Sequence, residues 1–403
     1  MAETAKEHSG PLSGLRVLDL TEERGPYAGK VMADLGADVV LVERPEGNRA
    51  RSFGPFKDDS PGIDNSLYFL NFNTNKKGIT LNLESSRGRD IFIRLASSCD
   101  VVVEDFPIGR MHSLGLDYSA LCEKNPGIIM ASVTGFGSSG PYARYKSPDI
   151  VSMAMGGLTY VNGPTDAAPV TAPCEQANHS VSVTAVFGIL AALLVRTKTG
   201  KGQSVELSSQ RAVAAITGGV WQFGAITNIA KRSGSQFGAV PGRIFPCKDG
   251  YVHILTIRPN HWLGFLEVLG NPEALRGNKW LAMEFRNANP DIIDAYVTEF
   301  TMAHSKMEIT GMCQEKGVPC APVNEPADLY RDSHIRQRGT FTEIEHPVAG
   351  RFPVVRPVPV FSRTICRTDR PAPLLGQHNS EIFCGELGMT TIELAQLKAE
   401  GVI

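Results

Sequence analysis

The first apolar run, Gly14-Leu-Arg-Val-Leu-Asp-Leu20, reads as a buried strand. A turn, Thr21-Glu-Glu-Arg-Gly25, follows, and Pro26 falls at a helix start. Ala28, Val31, Met32 and Leu35 then recur at helical spacing, Gly36 ends the helix, and Ala37-Asp-Val-Val-Leu-Val42 gives a second strand. A βαβ unit of about 30 residues predicts a parallel sheet. The alternation continues with a strand over Ile79–Leu83, a helix over Ser85–Ser98, a strand over Val101–Glu104, short helices over Gly109–Asn125 and a strand over Ile128–Gly135. The expected class is therefore α/β, a doubly wound sheet with ligands at the carboxyl ends of its strands.

Further along, an apolar helix is expected over Ser180–Val195, ending in the basic run Arg196-Thr-Lys-Thr-Gly-Lys-Gly202. A strand, Gln203–Leu207, and a helix near Arg211–Ile229 lead to a glycine-bearing link, Ser233-Gly-Ser-Gln-Phe-Gly238. The pattern then changes to short strands around the turn Lys248-Asp-Gly250 and helices over Trp262–Leu269 and Pro290–Ala303, which predicts a smaller α+β domain. From Val318 onward come strand-like segments and proline-rich turns such as Arg356-Pro-Val-Pro-Val-Phe361, and a helix over Thr391–Glu400 closes the chain.

Charge narrows the partners. Forty Lys and Arg stand against 42 Asp and Glu, so no basic excess exists to neutralise a nucleic-acid backbone. The apolar run Ala185–Val195 covers about half a bilayer, and the opening MAETAKEHSG is polar, so a cytoplasmic protein is expected. Eight scattered cysteines include no CxxC, the closest pair being Cys313 and Cys320, and free thiols with no metal site are expected. The first turn offers only Gly25 and Gly29, short of a GxGxxG dinucleotide fingerprint. Glu43, ending the second strand, stands where an acid could hold a ribose, and the adjacent Arg44 suits a phosphorylated one.

Several blocks, in order along the chain, together resemble the class III coenzyme A transferases, the CaiB/BaiF-like family that includes formyl-CoA and carnitine CoA-transferases. They are Pro11-Leu-Ser-Gly-Leu-Arg-Val-Leu-Asp-Leu20, Ala33-Asp-Leu-Gly-Ala-Asp-Val-Val-Leu-Val-Glu-Arg44, Asn73-Thr-Asn-Lys-Lys-Gly78, Val103-Glu-Asp-Phe106, Ser132-Val-Thr-Gly-Phe-Gly137, Gly188-Ile-Leu-Ala-Ala-Leu193 with Lys198-Thr-Gly-Lys-Gly-Gln203, and Pro373-Leu-Leu-Gly-Gln-His378. The resemblance implies a Rossmann-like large domain built from both chain ends with a small inserted α+β domain, two such ring-shaped chains interlocking as a dimer. Mapped here, residues 1–232 form the first part of the large domain, 233–317 the insertion and 318–403 the return.

The resemblance also implies chemistry. An Asp carboxylate attacks an acyl-CoA thioester to form a mixed anhydride, the CoA thiolate then makes an aspartyl-CoA thioester, and an acceptor acid takes the CoA. CoA is a substrate, and no permanently bound cofactor is implied. Arg44, Leu81, Phe106 and Lys146 match the family's CoA-contacting positions, whereas Glu84 and Ser113 stand where formyl-CoA transferase has a Lys and an Arg. At the nucleophile position the chain departs from the pattern, carrying Asn178 in Glu175-Gln-Ala-Asn-His179. An amide cannot form the anhydride. Glu175 is the nearest carboxylate, and an extended chain would hold it about 10 Å away. Cys174 lacks a neighbour that would activate it, and His179 suits the helix start. The racemase branch moves an α-proton with a His and an Asp, and here Pro148 and Asn178 replace both.

Three functions stay open: a CoA-transferase between carboxylates, acting as or with a subunit of a heteromer; a CoA-binding partner subunit inactive alone; and an acyl-CoA isomerase or racemase. The partners implied are an acyl-CoA, a small carboxylic acid, and either a second copy or an Asp-bearing homologue.

Overall fold

The computed structural model describes residues 10–164, 167–218 and 238–403. These fall into two compact units, one gathering residues 10–158, 173–218 and 336–403, the other residues 159–172 and 238–335.

The larger unit begins β1 (Arg16–Asp19), α1 (Pro26–Asp34), β2 (Asp38–Glu43), α2 (Leu67–Phe72), β3 (Lys77–Thr80), α3 (Ser86–Ala96) and β4 (Val101–Glu104). It continues with α4 (Arg110–Ser113), α5 (Tyr118–Lys124), β5 (Ile129–Thr134) and α6 (Asp149–Met155). The single turn α7 (Leu158–Val161) lies almost wholly in the smaller unit, and the larger one resumes with α8 (Gln176–Thr199), β6 (Ser204–Ser208) and α9 (Ser209–Ile216). The six strands lie in the order β3-β2-β1-β4-β5-β6 and every neighbouring pair is parallel. Strand order reverses between β1 and β4, which opens a crevice at their carboxyl ends.

Successive strand residues point to opposite faces, and both faces are covered. Leu18, Val40 and Val102 join Phe92, Leu95 and Phe383 in one core, while Val17, Val39 and Val101 join α1 and α8 in the other through Ala28, Met32, Val181, Ala185 and Ile189. Helix α8 is 24 residues long, extending beyond the expected Ser180–Val195 at both ends, and with an 18-residue stretch of mean hydropathy 1.8 it is long and apolar enough to cross a membrane. Its packing on the sheet makes it the core helix of this unit.

Some boundaries move for identifiable reasons. Strand β3 occupies Lys77–Thr80 rather than Ile79–Leu83, because beyond Leu81 the chain turns to its own C-terminus, with Asn82 N donating to Val402 O at 2.7 Å. The expected helix over Arg211–Ile229 is seen as Ser209–Ile216, and its remainder from residue 219 lies outside the described residues, as does the link over 233–237. Residues 356–361 form no strand, and Val358 and Val360 there are exposed.

The outer edge of β3 is closed by the Pro373–His378 block. Gly78 N donates to His378 Nδ1 at 3.0 Å, His378 N returns a bond to Gly78 O at 2.9 Å, and Thr80 N donates to Asn379 Oδ1 at 2.9 Å. An antiparallel hairpin, β10 (Phe341–His346) with β11 (Gly350–Val355), and a helix over Thr391–Ala399 complete this unit.

The smaller unit pairs β7 (Gly242–Cys247), β8 (Gly250–Leu255) and β9 (Cys320–Pro322) antiparallel, with helices over Pro259–Val268, Pro290–Ala303 and Lys306–Glu315 packed around Trp262, Phe265 and Val297. All eight cysteines are free, four of them buried and Cys174 exposed.

Candidate active site

The turn after β1 points backbone N–H groups at the start of α1, where a dinucleotide fold would seat a pyrophosphate. Here a carboxylate of the chain itself takes that seat. Asp105 accepts from Glu22 N at 2.9 Å, Glu23 N at 2.8 Å and Arg24 N at 2.7 Å. Complete burial raises its pKa, and these amides pull the other way. The two glycines of the turn serve packing. A Cβ on Gly25 would meet Thr21 Cγ2 at 2.4 Å, and one on Gly29 would meet Asp19 Oδ2 at 2.0 Å. Gly29 thereby leaves room for a fully buried ion pair, in which Lys76 Nζ donates to Asp19 Oδ2 at 2.8 Å, Pro26 O at 2.9 Å and Asn73 Oδ1 at 2.8 Å. All three ammonium donors are satisfied, which is the condition for tolerating such a charge in a core.

Glu43 is not available to a ribose. It is 2% exposed, receives Arg51 at 2.6 and 2.8 Å and accepts from Asn48 N at 2.9 Å. This corrects the sequence expectation; the competing cation lies eight residues on.

A cavity of about 710 Å³ opens at the carboxyl ends of β1, β4 and β5, between residues 22–24, 105–108, 134–135 and 143–148. Phe106 and Lys146 both line it. Arg44 reaches its edge through an ion pair, 2.7 Å to Glu22, which lines the cavity. Leu81 is 1% exposed and packs in the sheet core, so its side chain does not face the cavity. Glu84 pairs with Arg110, and Ser113 Oγ donates to Arg110 O at 2.7 Å.

The cavity's carboxylates are spoken for. Glu22 faces Arg44, Glu23 lies 3.8 Å from Arg49, and Asp105 holds backbone amides. Arg24, Arg144 and Lys146 line the same wall with no carboxylate in ion-pair contact among the described residues. The cleft is thus set up for an anion.

The N-terminus of α8 closes a second, small pocket lined by Glu23, Arg24, Tyr68, Glu175, Asn178 and His179 among others. Cys174 and Glu175 are both left-handed, with φ of 65° and 49°. They turn the chain back, so Glu175 is not held at extended distance. Its Oε2 lies 3.4 Å from Asn178 Nδ2. Asn178 is 5% exposed, its N donates to Asp149 Oδ1 at 2.9 Å, and its Oδ1 is buried and accepts from no donor among the described residues. Asp149 is the helix cap; burial raises its pKa while the amides of Asn178 and Ala177 lower it. His179 packs between Tyr27 and Phe72, ring centroids 5.3 and 5.4 Å away, with Nδ1 donating to Glu175 O at 2.8 Å. Burial and the neighbouring Glu175 raise the Tyr68 pKa, keeping the phenol protonated.

Sequence reasoning passed over Arg24, Asp105 and Asp149. The available signal was position: Arg24 stands in the turn after the first strand, Asp105 directly follows a strand end, and Asp149 follows a proline before a helix.

The structure is a doubly wound α/β sheet whose switch-point cleft is lined by Arg24, Arg144 and Lys146 and whose dinucleotide seat is filled by Asp105. The chain belongs to CoA-transferase family III, whose profile matches residues 12–379. It is 33% identical over 413 residues to formyl-CoA:oxalate CoA-transferase of Streptomyces avermitilis, covering 97% of this chain and 99% of that one. It is 31% identical over 401 residues to the succinyl-CoA–L-malate CoA-transferase alpha subunit of Chloroflexus aurantiacus, covering 98% and 92%. A crystal structure of a CaiB/BaiF family protein from Brucella suis matches with TM-score 0.84 at 29% identity, covering 94% and 99%. By family the chain is an enzyme, a CoA-transferase.

Proposed function

We propose that this chain binds CoA and acyl-CoA in the 710 Å³ cleft and takes part in moving CoA between carboxylic acids, as a cytoplasmic subunit whose own nucleophile position is filled by Asn178. The observation that carries this reading is the placement of Asn178. Its side chain lines the pocket at the head of α8, where a carboxylate would meet a thioester arriving from the cleft. Arg24 and Glu23 line both cavities, so the pocket at Asn178 adjoins the cleft. Lys146 and Arg44 serve CoA phosphates and Phe106 serves the adenosine end; Leu81 contributes backbone at most.

The catalytic carboxylate then comes from an Asp-bearing homologue in a heteromer. One relative is by name an alpha subunit, which supports the existence of such assemblies among similar chains. The outward side of α8 supports a partner as well, with Phe187 69% and Leu194 66% exposed. Sedimentation of the purified chain at low micromolar concentration should show a dimer; a folded monomer would count against this assembly.

A second reading is favoured by one distance. Glu175, 3.4 Å from the Asn178 amide, is a carboxylate already at the pocket, so the chain could be active alone with Glu175 as nucleophile. Incubation with acyl-CoA and hydroxylamine or borohydride trapping, followed by mass spectrometry, separates the two. The heteromer reading expects no adduct on this chain, and an adduct on the Asp-bearing homologue once mixed. An adduct at Glu175 in the chain alone would overturn it.

A further inference from the structure

Two acids stand in the cleft beside its cations. Glu22 and Glu23 are successive residues of the turn after β1, and both line the 710 Å³ cleft. Glu22 Oε1 lies 2.7 Å from Arg44 Nη2, and Glu23 Oε2 lies 3.8 Å from Arg49 Nη1. The backbone is fixed on each side of these pairs. Asp105 holds the Glu22 and Glu23 amides, and Asn48, between the two arginines in sequence, donates from Nδ2 to Thr21 O at 2.8 Å. The freedom lies in the arginine side chains, 59% and 63% exposed, against 22% and 24% for the two glutamates.

An ion pair with so exposed a cation is weak, because water screens it and a long side chain must be ordered to make it. A phosphate offers a guanidinium the same pair of oxygens with more charge. A ligand bearing several phosphates can therefore draw Arg44 and Arg49 away from the turn. The glutamates cannot follow, and each is left as an uncompensated negative charge beside the ligand. Arg24, Arg144 and Lys146, which line the same cleft, meet no such rival among the described residues.

Resting on the CoA-binding reading above, we propose that Glu22 and Glu23 are intramolecular competitors of the CoA phosphates: they hold Arg44 and Arg49 in the unliganded chain, yield them to CoA, and thereby weaken the grip on it. Both act through the arginines and are positioning residues. Competition of this kind loosens the phosphate end without touching the acyl group, which suits a protein that must let one CoA thioester go before taking the next.

The test is a double-mutant cycle on the purified, full-length chain, with CoA affinity read by calorimetry at constant, low ionic strength. Glu22→Gln is expected to tighten CoA by about threefold, the scale of one exposed ion pair. In the Arg44→Ala background the same substitution should leave the affinity unchanged, because no cation remains to be contested. An affinity equal to or below that of the wild-type chain in Glu22→Gln overturns the proposal. So does a gain that persists in full without Arg44, the outcome expected if Glu22 merely repels the ligand. Should Glu22→Gln fail to fold, the cycle of Glu23→Gln with Arg49→Ala is read in the same way. Failure of both the wild-type chain and the glutamine variant to bind CoA would instead refute the CoA-binding reading itself, and this proposal with it.

Discussion

Glu175 Oε2 lies 3.4 Å from Asn178 Nδ2, one turn apart at the head of α8. Two successive left-handed, non-glycine residues create that proximity, a conformation that costs on the order of 1–3 kcal/mol per residue and persists where the surroundings enforce it. The contact is favourable only while residue 178 is an amide.

Restoring the acid therefore has a visible signature. In Asn178→Asp two carboxylates face each other, and one must bind its proton more tightly. The substituted chain is expected to gain CoA exchange between an acyl-CoA and a carboxylate. The acidic limb of its pH–rate profile should lie about one unit above that of the Asn178→Asp, Glu175→Gln double variant. Coincident limbs would mean that the two side chains do not share the site.

Lys146 and Arg44 should separate by magnitude. Lys146 lines the cleft with no ion-pair partner among the described residues, whereas Arg44 is already committed to Glu22. Lys146→Ala is expected to weaken CoA about tenfold or more, and Arg44→Ala by a smaller factor, in titrations at constant ionic strength.

Glu104 makes the stability of the chain depend on pH. Burial lifts its carboxyl to about 7 from an ordinary 4.5, with Ser132 and the Phe106 amide, 2.8 Å away, opposing the shift. Between those values the folded chain keeps a proton that the unfolded chain has released. The associated stability is complete below about pH 4.5 and is lost as pH rises through 7, on the order of 3 kcal/mol. Glu104→Gln keeps the oxygen that accepts from Phe106 and removes the titration. Urea unfolding should show the variant more stable than the parent at pH 8 and indistinguishable from it near pH 4.5.

The Asp19–Lys76 pair should be intolerant of half-removal. Lys76→Met leaves a buried carboxylate with its two Thr21 contacts and no counter-charge, at a cost of about 3–5 kcal/mol. Denaturant midpoints would register the loss, and a variant as stable as the parent would mean that Asp19 takes up a proton cheaply.

The sheet was legible because each parallel strand buries both faces, so runs such as Val101–Val103 are apolar without interruption and the helices between them repeat at 3.6 residues. That Asn178 and Gly188-Ile-Leu-Ala-Ala-Leu193 lie on one element was legible, since the gap-free spacing between them suits a single helix and α8 runs unbroken from one to the other. The rest depended on contacts that local pattern does not encode. Cys174 and Glu175 carry no glycine to announce a left-handed turn. Asp105 finds its amides some 80 residues back, and the burial of Glu43 depends on Arg51 and on Pro373 O beside it. Leu81 lies beside the β2 edge in either reading, and only its orientation decides whether its side chain is core or lining.

The closure of β3 by His378 and Asn379 also sets an order of events during synthesis. Strands β1 to β5 can leave the ribosome and pair early, yet the outward amides of Gly78 and Thr80 wait for partners encoded 300 and 299 residues later. A nascent chain released or stalled before residue 373 carries an open, parallel sheet edge of the kind that recruits other strands. Truncation at the C-terminus is accordingly a route to aggregation rather than to a shorter folded domain, and the last thirty or so residues act as the seal on a sheet begun at residue 16.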